Sequence, residues 1–177
     1  MRDQLFIQGF LHIDMRDRDG RSVLTRRARN TVVRSGAEIV AGLFSGQAST
    51  PVNGMAVGTN AEPISAPYEL GALNGLDEAG AALVGALAVA ISPENVKVET
   101  LASDQRVRVA IRGVLPAGAA RAADGQTVMI GEAALGVLNA DASGLASIYN
   151  RVVFEPIPKG KDHELVFYWE IIFPYGG

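Results

Sequence analysis

The 177-residue chain contains no cysteine, only two histidines and a single tryptophan. The lack of cysteine excludes a disulfide-bonded scaffold, a thiolate zinc site and a cysteine nucleophile. No apolar run approaches the roughly 20 residues that a membrane-spanning helix needs, and the N-terminus lacks the pattern of a secretory signal. The hydrophobic content of 48% is that of an ordinary globular protein. We therefore expect one β-rich structural domain over residues 1–177, with no membrane partner.

The last third of the chain alternates between apolar and polar residues more regularly than any other part. Because successive side chains of a β-strand point to opposite faces, the alternation over residues 164–173 predicts a strand with one apolar face. A second run, from Ile148 to Ile157, is predicted to be its antiparallel partner across a Pro- and Gly-containing turn. The predicted core centres on aromatic and aliphatic side chains of these two runs: Phe154, Phe167, Trp169, Ile171 and Phe173.

The preceding segments predict more strands and one helix. Alternation on both sides of the turn sequence Asp17–Gly20 predicts an N-terminal hairpin, and residues 95–101 and 106–115 predict another. Apolar residues at helical spacing predict an α-helix near residues 31–44, capped by Asn30 or Thr31, with Gly36 allowing close approach and Gly46 ending the helix.

Two further segments, residues 81–91 and 127–139, are predicted to be extended. The total of eight to ten strands with one helix indicates a mainly β protein, specifically an antiparallel, jelly-roll-like β-sandwich. Residues 60–80 contain prolines and glycines but few large hydrophobic side chains. They predict a long, flexible surface loop.

Charge is distributed unevenly along the chain. Residues 1–34 contain eight arginines and four aspartates, a net charge of +4, and since the whole chain carries −3, the remainder carries −7. Such asymmetry suits either nucleic-acid binding or contacts between oppositely charged ends of neighbouring subunits. The arginines are mixed with aspartates, and few aromatic residues are interleaved with them, Phe10 among these, which argues against a nucleic-acid partner.

The sequence does not indicate an enzyme. His12 and His163 lie in polar segments without an adjacent nucleophile or orienting group, so no catalytic residue is predicted. No cofactor-binding or metal-binding residue is predicted either, because Asp17 and Asp19 lack the distal glutamate of a calcium loop.

A hydrolase remains as an alternative hypothesis. Glu132, Glu155, Glu164 and Glu170 are expected on neighbouring strands, where two carboxylates could work as a glycosidase-type pair. The other interpretation is that Glu132 and Arg151 form a structural pair that holds two adjacent strands in register.

Five short motifs follow one another along the chain. They are Asn30-x-Val32-x-x-x-Gly36, Met55-Ala56-Val57-Gly58-Thr59, Glu132-x-x-Leu135-Gly136, Tyr149-Asn150-Arg151-Val152-x-Phe154-x-Pro156-Ile157-x-Lys159, and Leu165-x-x-x-Trp169-x-Ile171-x-Phe173. In this order, the chain resembles a family of small bacteriophage tail and virion structural proteins, which are encoded among tail, baseplate and fibre genes. The resemblance covers most of the chain and leaves residues 60–80 as an insertion.

The resemblance implies a non-enzymatic β-structured subunit repeated around a ring or trimer, in a phage tail or a phage-like contractile injection device. Its partners would be copies of itself and neighbouring virion or tail proteins, and its location the virion after synthesis in the host bacterial cytoplasm. We expect the loop at residues 60–80 and a free N-terminal strand to bind partners. Deletion of residues 1–14 is then expected to abolish assembly and leave a folded monomer.

The alternative function is a carbohydrate- or receptor-binding β-sandwich at a fibre tip. Few aromatic residues look exposed in the sequence, which counts against stacking on sugar rings.

Overall fold

The computed structural model of the protein describes residues 7–47, 50–66 and 68–176. Over these ranges the chain forms nine strands and one α-helix: β1 (Gln8–Arg16), β2 (Ser22–Val32), α1 (Arg34–Ser45), β3 (Gly54–Gly58), β4 (Ala88–Ala90), β5 (Val96–Leu101), β6 (Arg106–Leu115), β7 (Val128–Leu138), β8 (Leu145–Lys159) and β9 (Glu164–Pro174). The strands form one antiparallel sheet in the order β4-β3-β7-β8-β2-β1-β9-β6-β5. The predictions of a mainly β chain, of about nine strands and of one helix are confirmed.

The sheet curls into a half-barrel around one main core. Strand β2 makes the bend, because its first part pairs with β1 and its last residues, Asn30–Val32, pair with β8. The two halves then face each other, so that β4 lies close to β6. Gly113 on β6 faces Met55 on β3 across the interior, and a Cβ atom at Gly113 would lie 2.3 Å from the Met55 sulfur.

Strand β9 supplies the centre of the core. Phe167, Trp169 and Ile171 are buried on its inner face, whereas Phe173 is partly exposed near the rim. Phe154 on β8 is buried in the same cluster. The one-sided apolar face of this segment therefore turns inward, as its alternation predicts.

The predicted pairing of β8 with β9 is wrong. Strands β2 and β1 lie between them in the sheet. Strand β1 pairs with β9 along its whole length, and β6 pairs with the other edge of β9, so no edge of β9 is left for β8. The turn at residues 160–163 consequently carries the chain from one half of the sheet to the other.

The pairing of β8 with β7 shifts register at three points, and one of them changes which side chains of β8 face inward. Leu135 pairs with Asn150 but Gly136 pairs with Ile148, so Tyr149 is an extra residue in β8. A bulge of this kind reverses which side chains face inward. As a result, Tyr149 joins the main core, while Ile148 packs in a second cluster on the other face of the sheet.

The N-terminal hairpin is confirmed, but its first strand is not free. Strand β1 lies in the middle of the sheet, between β2 and β9, and its residues Leu11 and Ile13 are buried. The expectation of a free N-terminal strand is therefore wrong, and deletion of residues 1–14 would remove most of a central strand.

Helix α1 begins later than predicted, because β2 continues to Val32. The proposed capping residues Asn30 and Thr31 are part of β2, and the residue that precedes the helix, Val33, makes no side-chain cap. Gly36 is the buried residue of α1, where a Cβ atom would lie 1.8 Å from the Tyr149 carbonyl oxygen. No helix in the described ranges is both long and apolar enough to cross a membrane.

Candidate functional site

The side chains of Glu132 and Arg151 meet on adjacent strands β7 and β8. The Nε of Arg151 donates to Oε2 of Glu132 at 2.5 Å, and the two side chains are 3% and 1% exposed for Arg151 and Glu132 respectively. A buried ion pair stabilises a fold only where its remaining donors and acceptors are also satisfied. The other atoms of this pair do find partners, and those partners come from the long loop between β3 and β4.

The pair anchors that loop, residues 59–87, against the outer side of the sheet. The two terminal nitrogens of Arg151 donate to the carbonyl oxygens of Glu62, at 2.7 Å, and Asn60, at 3.1 Å. The backbone N–H of Asn74 donates to Oε1 of Glu132 at 2.7 Å. We name this side of β3, β7 and β8 the covered face.

Two glycines allow the loop to approach the covered face closely. A Cβ atom at Gly58 would lie 2.4 Å from Oε1 of Glu132 and 2.7 Å from the Asn74 carbonyl oxygen. A Cβ atom at Gly131 would lie 3.2 Å from the carbonyl oxygen of Thr59. The predicted long loop is therefore present, but it is tied to the sheet by hydrogen bonds. The strand predicted over residues 81–91 shortens to β4.

The four carboxylates of the hydrolase hypothesis do not come together. Glu132 is occupied by Arg151, and Glu155 pairs with Arg26 at 3.0 Å. Glu164 and Glu170 lie on β9, which is separated from β8 by two strands. This arrangement offers no pair of carboxylates facing one substrate.

The opposite half of the sheet carries a different surface. We name the side of β2, β1, β9 and β6 that faces away from the core the open face. A groove of about 780 Å³ crosses it. Four side chains stand directly opposite one another on adjacent strands and line this groove: Arg27, His12, Tyr168 and Arg112. The rings of His12 and Tyr168 are 6.0 Å apart between centroids.

The neighbouring row of the open face combines aromatic and basic side chains as well. The guanidinium carbon of Arg29 lies 5.8 Å from the centroid of the Phe10 ring, a cation–π distance. Arg27, Arg29 and Arg112 form no ion pair with any residue in the described part of the chain. Their charges are therefore available to an anionic partner.

Other arginines of the open face are neutralised locally. Arg108 lies between Glu99, to which it donates hydrogen bonds, and Glu170, at 3.3 Å. The hydrogen bond from Arg108 lowers the pKa of Glu99. Partial burial alone would raise the pKa of Asp14, but hydrogen bonds from Ser22 and Arg16 outweigh it and lower that pKa.

A second groove, of about 830 Å³, is acidic. It lies between the loop of the covered face and the segment that leads into β7. Its wall includes four carboxylates: Glu62, Asp77, Glu78 and Asp124. Of these, Asp77 is engaged by its own turn, where its carboxylate accepts from the N–H groups of Ala79 and Ala81. The groove of the open face is lined by Arg27, Lys97 and Arg112 together with Glu94 and Glu170, so an excess of basic residues there is separate from the acidic groove.

Lys159, at the end of β8, carries no signal in the sequence that marks it as buried. The side chain is fully buried, and its Nζ donates to the carbonyl oxygen of Ala119 at 2.6 Å. Burial lowers the pKa of Lys159 to about 8. A lysine at the end of a strand beside a turn is typically exposed to solvent. Only the packing of the β6–β7 loop, which contains Ala119, identifies Lys159 as buried.

The two histidines take part in different contacts. His12 lies in the groove of the open face, whereas Nδ1 of His163 accepts a hydrogen bond from the N–H of Gly160 at 3.2 Å. Within residues 7–47, 50–66 and 68–176, no group of three or more His, Asp or Glu side chains could hold a metal ion.

Comparison of the chain with protein-family models, with curated proteins and with solved structures finds no match.

Proposed function

We propose that the protein is a non-enzymatic structural subunit of a bacteriophage virion or phage-tail-like particle. It would assemble into a ring or trimer with copies of itself and with neighbouring virion proteins. The order of the sequence motifs supports this class of protein. The observation that carries the assembly role is the separation of unpaired basic residues on the open face from the acidic groove beside the covered face.

Two surfaces of opposite charge favour head-to-tail contacts between subunits. A heterologous contact places one patch of a subunit against a different patch of the next, and it closes into a ring when the rotation allows. Unpaired Arg27 and Arg112 would supply the positive side, while Glu62, Glu78 and Asp124 would supply the negative side. The curled sheet holds each set in place, because its strands are paired across almost its whole width.

The finer architecture also belongs to this proposal. The halves of the curled sheet that meet at β2 would act as the two layers of a jelly-roll-like sandwich. Contact between Met55 of one half and Gly113 of the other supports two layers around a shared core. Such a scaffold presents loops and outer faces to neighbours while the core stays closed.

The assembly role can be tested by light scattering and negative-stain electron microscopy of the purified chain at low and moderate salt. We expect closed rings or trimers that dissociate as salt screens the charged contacts. The double variant Arg27→Glu/Arg112→Glu should remain folded but fail to assemble. Arg21→Glu, an exposed charge reversal in the β1–β2 turn, is the matched control and should assemble normally.

Rings of unchanged size and salt dependence in the double variant would contradict the charged-contact mechanism. A wild-type chain that stays monomeric at every salt concentration would contradict the assembly role itself.

The second candidate function is a carbohydrate- or receptor-binding β-sandwich module. The groove of the open face supports it, since Phe10 and Tyr168 are exposed there beside polar side chains such as Glu94 and Asn95. Concave sites with aromatic walls and a few polar groups are typical of ligand binding. Glycan-array screening should give hits that are lost in Tyr168→Ser if this function is correct. No hits would leave the assembly role as the preferred one.

A further inference from the structure

The sheet ends in two edge strands of very different character. On one side, β4 has only three residues, and it lies near β6 where the sheet curls back. On the other side, β5 has six residues, and no strand of the described chain pairs with its outer edge. Short or covered edges are protected from pairing with other chains, whereas a longer uncovered edge presents free N–H and C=O groups.

The side chains of β5 combine an exposed valine with one positive and one negative charge, so the charges of one copy can match those of another. Val98, at its centre, is 67% exposed, although it stands on the inner face beside Val109. Lys97 forms no ion pair within the described ranges. Glu99 on the same outer face is held by Arg108 but remains 43% exposed. An exposed valine between a free lysine and an accessible glutamate forms a short self-complementary sequence.

We propose that β5 pairs antiparallel with β5 of a second copy of this chain, about a two-fold axis that passes through Val98. This register places Val98 opposite Val98, and it places Lys97 of each copy opposite Glu99 of the other. Residues directly opposite in an antiparallel pair point to the same face. The two valines therefore cover each other on the inner face, and two Lys–Glu pairs form on the outer face.

The pairing extends contacts that already exist within each chain. On the outer face, Glu170, Arg108 and Glu99 form a ladder of alternating charge across β9, β6 and β5. Lys97 of the second copy continues this alternation by one more strand. Because the register is symmetric about one residue, the interface is isologous, with the same patch used by both copies.

The same geometry joins the two open faces. A two-fold axis perpendicular to the sheet keeps equivalent faces on the same side, so the grooves of both copies would lie on one continuous surface. Lys97 lines the groove of its own chain and would also lie at the junction. The pairing goes beyond the proposed function, since it concerns this chain in solution whether or not it belongs to a particle.

Two six-residue edges form a small interface, so the dimer should be weak and dependent on concentration. At the moderate salt that dissociates the rings, sedimentation equilibrium at micromolar to submillimolar concentrations should reveal a reversible monomer–dimer equilibrium for the wild-type chain. Lys97→Glu places glutamates opposite each other, and Glu99→Lys places lysines opposite each other. Each variant alone should dimerise at least about tenfold more weakly.

Mixing the two variants is the decisive step. A heterodimer of Lys97→Glu with Glu99→Lys restores two opposite-charge pairs, so an equimolar mixture should dimerise like the wild-type chain. The double variant Lys97→Glu/Glu99→Lys should also dimerise by itself. Dimerisation of this double variant would show that Glu99→Lys weakens the dimer through its charge and not through a loss of stability. The folding of Glu99→Lys itself is checked by near-ultraviolet circular dichroism. Lys161→Glu, the same substitution in the β8–β9 turn, is the control and should leave the equilibrium unchanged.

A wild-type chain that remains monomeric over the whole concentration range would overturn the proposal. So would unchanged dimerisation of Lys97→Glu, or a mixture that does not recover the dimer. The double variant Arg27→Glu/Arg112→Glu, designed against ring assembly, should keep the β5 dimer. Failure of ring assembly and failure of edge pairing are therefore distinguishable.

Discussion

The two outer faces of one sheet use the same ionic side chains in opposite ways. On the covered face, Arg151 is 3% exposed and directs its donors to Glu132 and to backbone carbonyls of the loop. On the open face, Arg108 is 35% exposed between two glutamates, and Arg27 has no ionic partner in the described chain. Where a loop covers the strands, arginine therefore binds other parts of the same chain. Where no loop covers them, an arginine such as Arg27 remains available to a partner.

The difference arises from small side chains on one half and large ones on the other. Gly58 and Gly131 let the backbone of the loop reach the covered face. On the open face, the larger side chains of Phe10, Tyr168 and Arg27 project from the strands and line a groove. Close packing requires complementary shape, so residue size decides which face the loop can cover.

Deletion of residues 1–14 should have the largest effect, because it removes most of the central strand of the open half. We expect a chain without a cooperative thermal transition, measured by circular dichroism, since Leu11 and Ile13 are lost from the core and both neighbouring strands lose a partner. A synthetic peptide of residues 7–16 added in trans should restore structure by strand complementation. A cooperative transition in the truncated chain would show that the open half folds without β1.

Glu132→Ala tests the covered face directly. It leaves Arg151 buried without its counter-charge, which should reduce the free energy of unfolding by about 3–5 kcal/mol. Chemical denaturation measures this value. The control is Glu155→Ala, which removes an ion pair whose glutamate is 74% exposed and should cost less than about 1 kcal/mol. Equal losses in both variants would remove the distinction between the covered pair and exposed pairs.

Lys159 predicts a dependence of stability on pH. Burial lowers its pKa from an ordinary value of 10.5 to about 8, so between these values the unfolded chain binds a proton that the folded chain has released. The contribution of Lys159 to the free energy of unfolding should therefore rise by about 3 kcal/mol from about pH 8 to about pH 10.5.

Denaturant unfolding over this pH range, compared with Lys159→Met, isolates the contribution of that one group. The difference between the two proteins should change with pH in favour of the wild-type chain. Parallel pH profiles for both would refute the assignment of this titration to Lys159.

Gly58→Ala should have the smallest effect of the series. Its Cβ atom would meet Oε1 of Glu132 and the Asn74 carbonyl, and the displaced loop should cost about 1–3 kcal/mol in denaturant unfolding. Gly71→Ala in the same loop meets no atom within 4 Å and should change stability by no more than about 0.5 kcal/mol. A neutral Gly58→Ala would mean that the loop is not held as closely as its hydrogen bonds indicate.

Local patterns predicted much of this architecture, and non-local pairing explains what they missed. The alternation of residues 164–173 indicates a strand and its buried face, because both depend only on the period of the side chains. Which strands lie beside β9 depends on competition among distant segments, and β1 takes the place expected for β8. The helix start was misplaced for a similar reason, since pairing with β8 extends β2 to Val32.

The contacts at the covered face and the open face also divide into those that the sequence predicts and those that depend on the tertiary structure. Glu132 and Arg151 could be matched from the sequence as opposite charges on adjacent strands. The hydrogen bonds from Arg151 to the carbonyls of Asn60 and Glu62 could not be predicted, since every residue has a carbonyl and the sequence does not mark the one that is used. Tyr168 could be assigned to the outer face of its strand, but its position beside His12 follows only from the register of β1 and β9.

By itself, the sequence determined the β-rich class, the one helix, the N-terminal hairpin and the inward face of the last strand. These features follow from side-chain period, turn residues and glycine placement, which act over a few neighbouring residues. Tertiary structure alone decided the order of strands, the burial of Lys159, the anchoring of the loop and the free edge at β5. Each of these depends on which distant segments compete successfully for the same hydrogen-bonding edge or the same apolar surface, and that competition is resolved only when the whole sheet closes around its core.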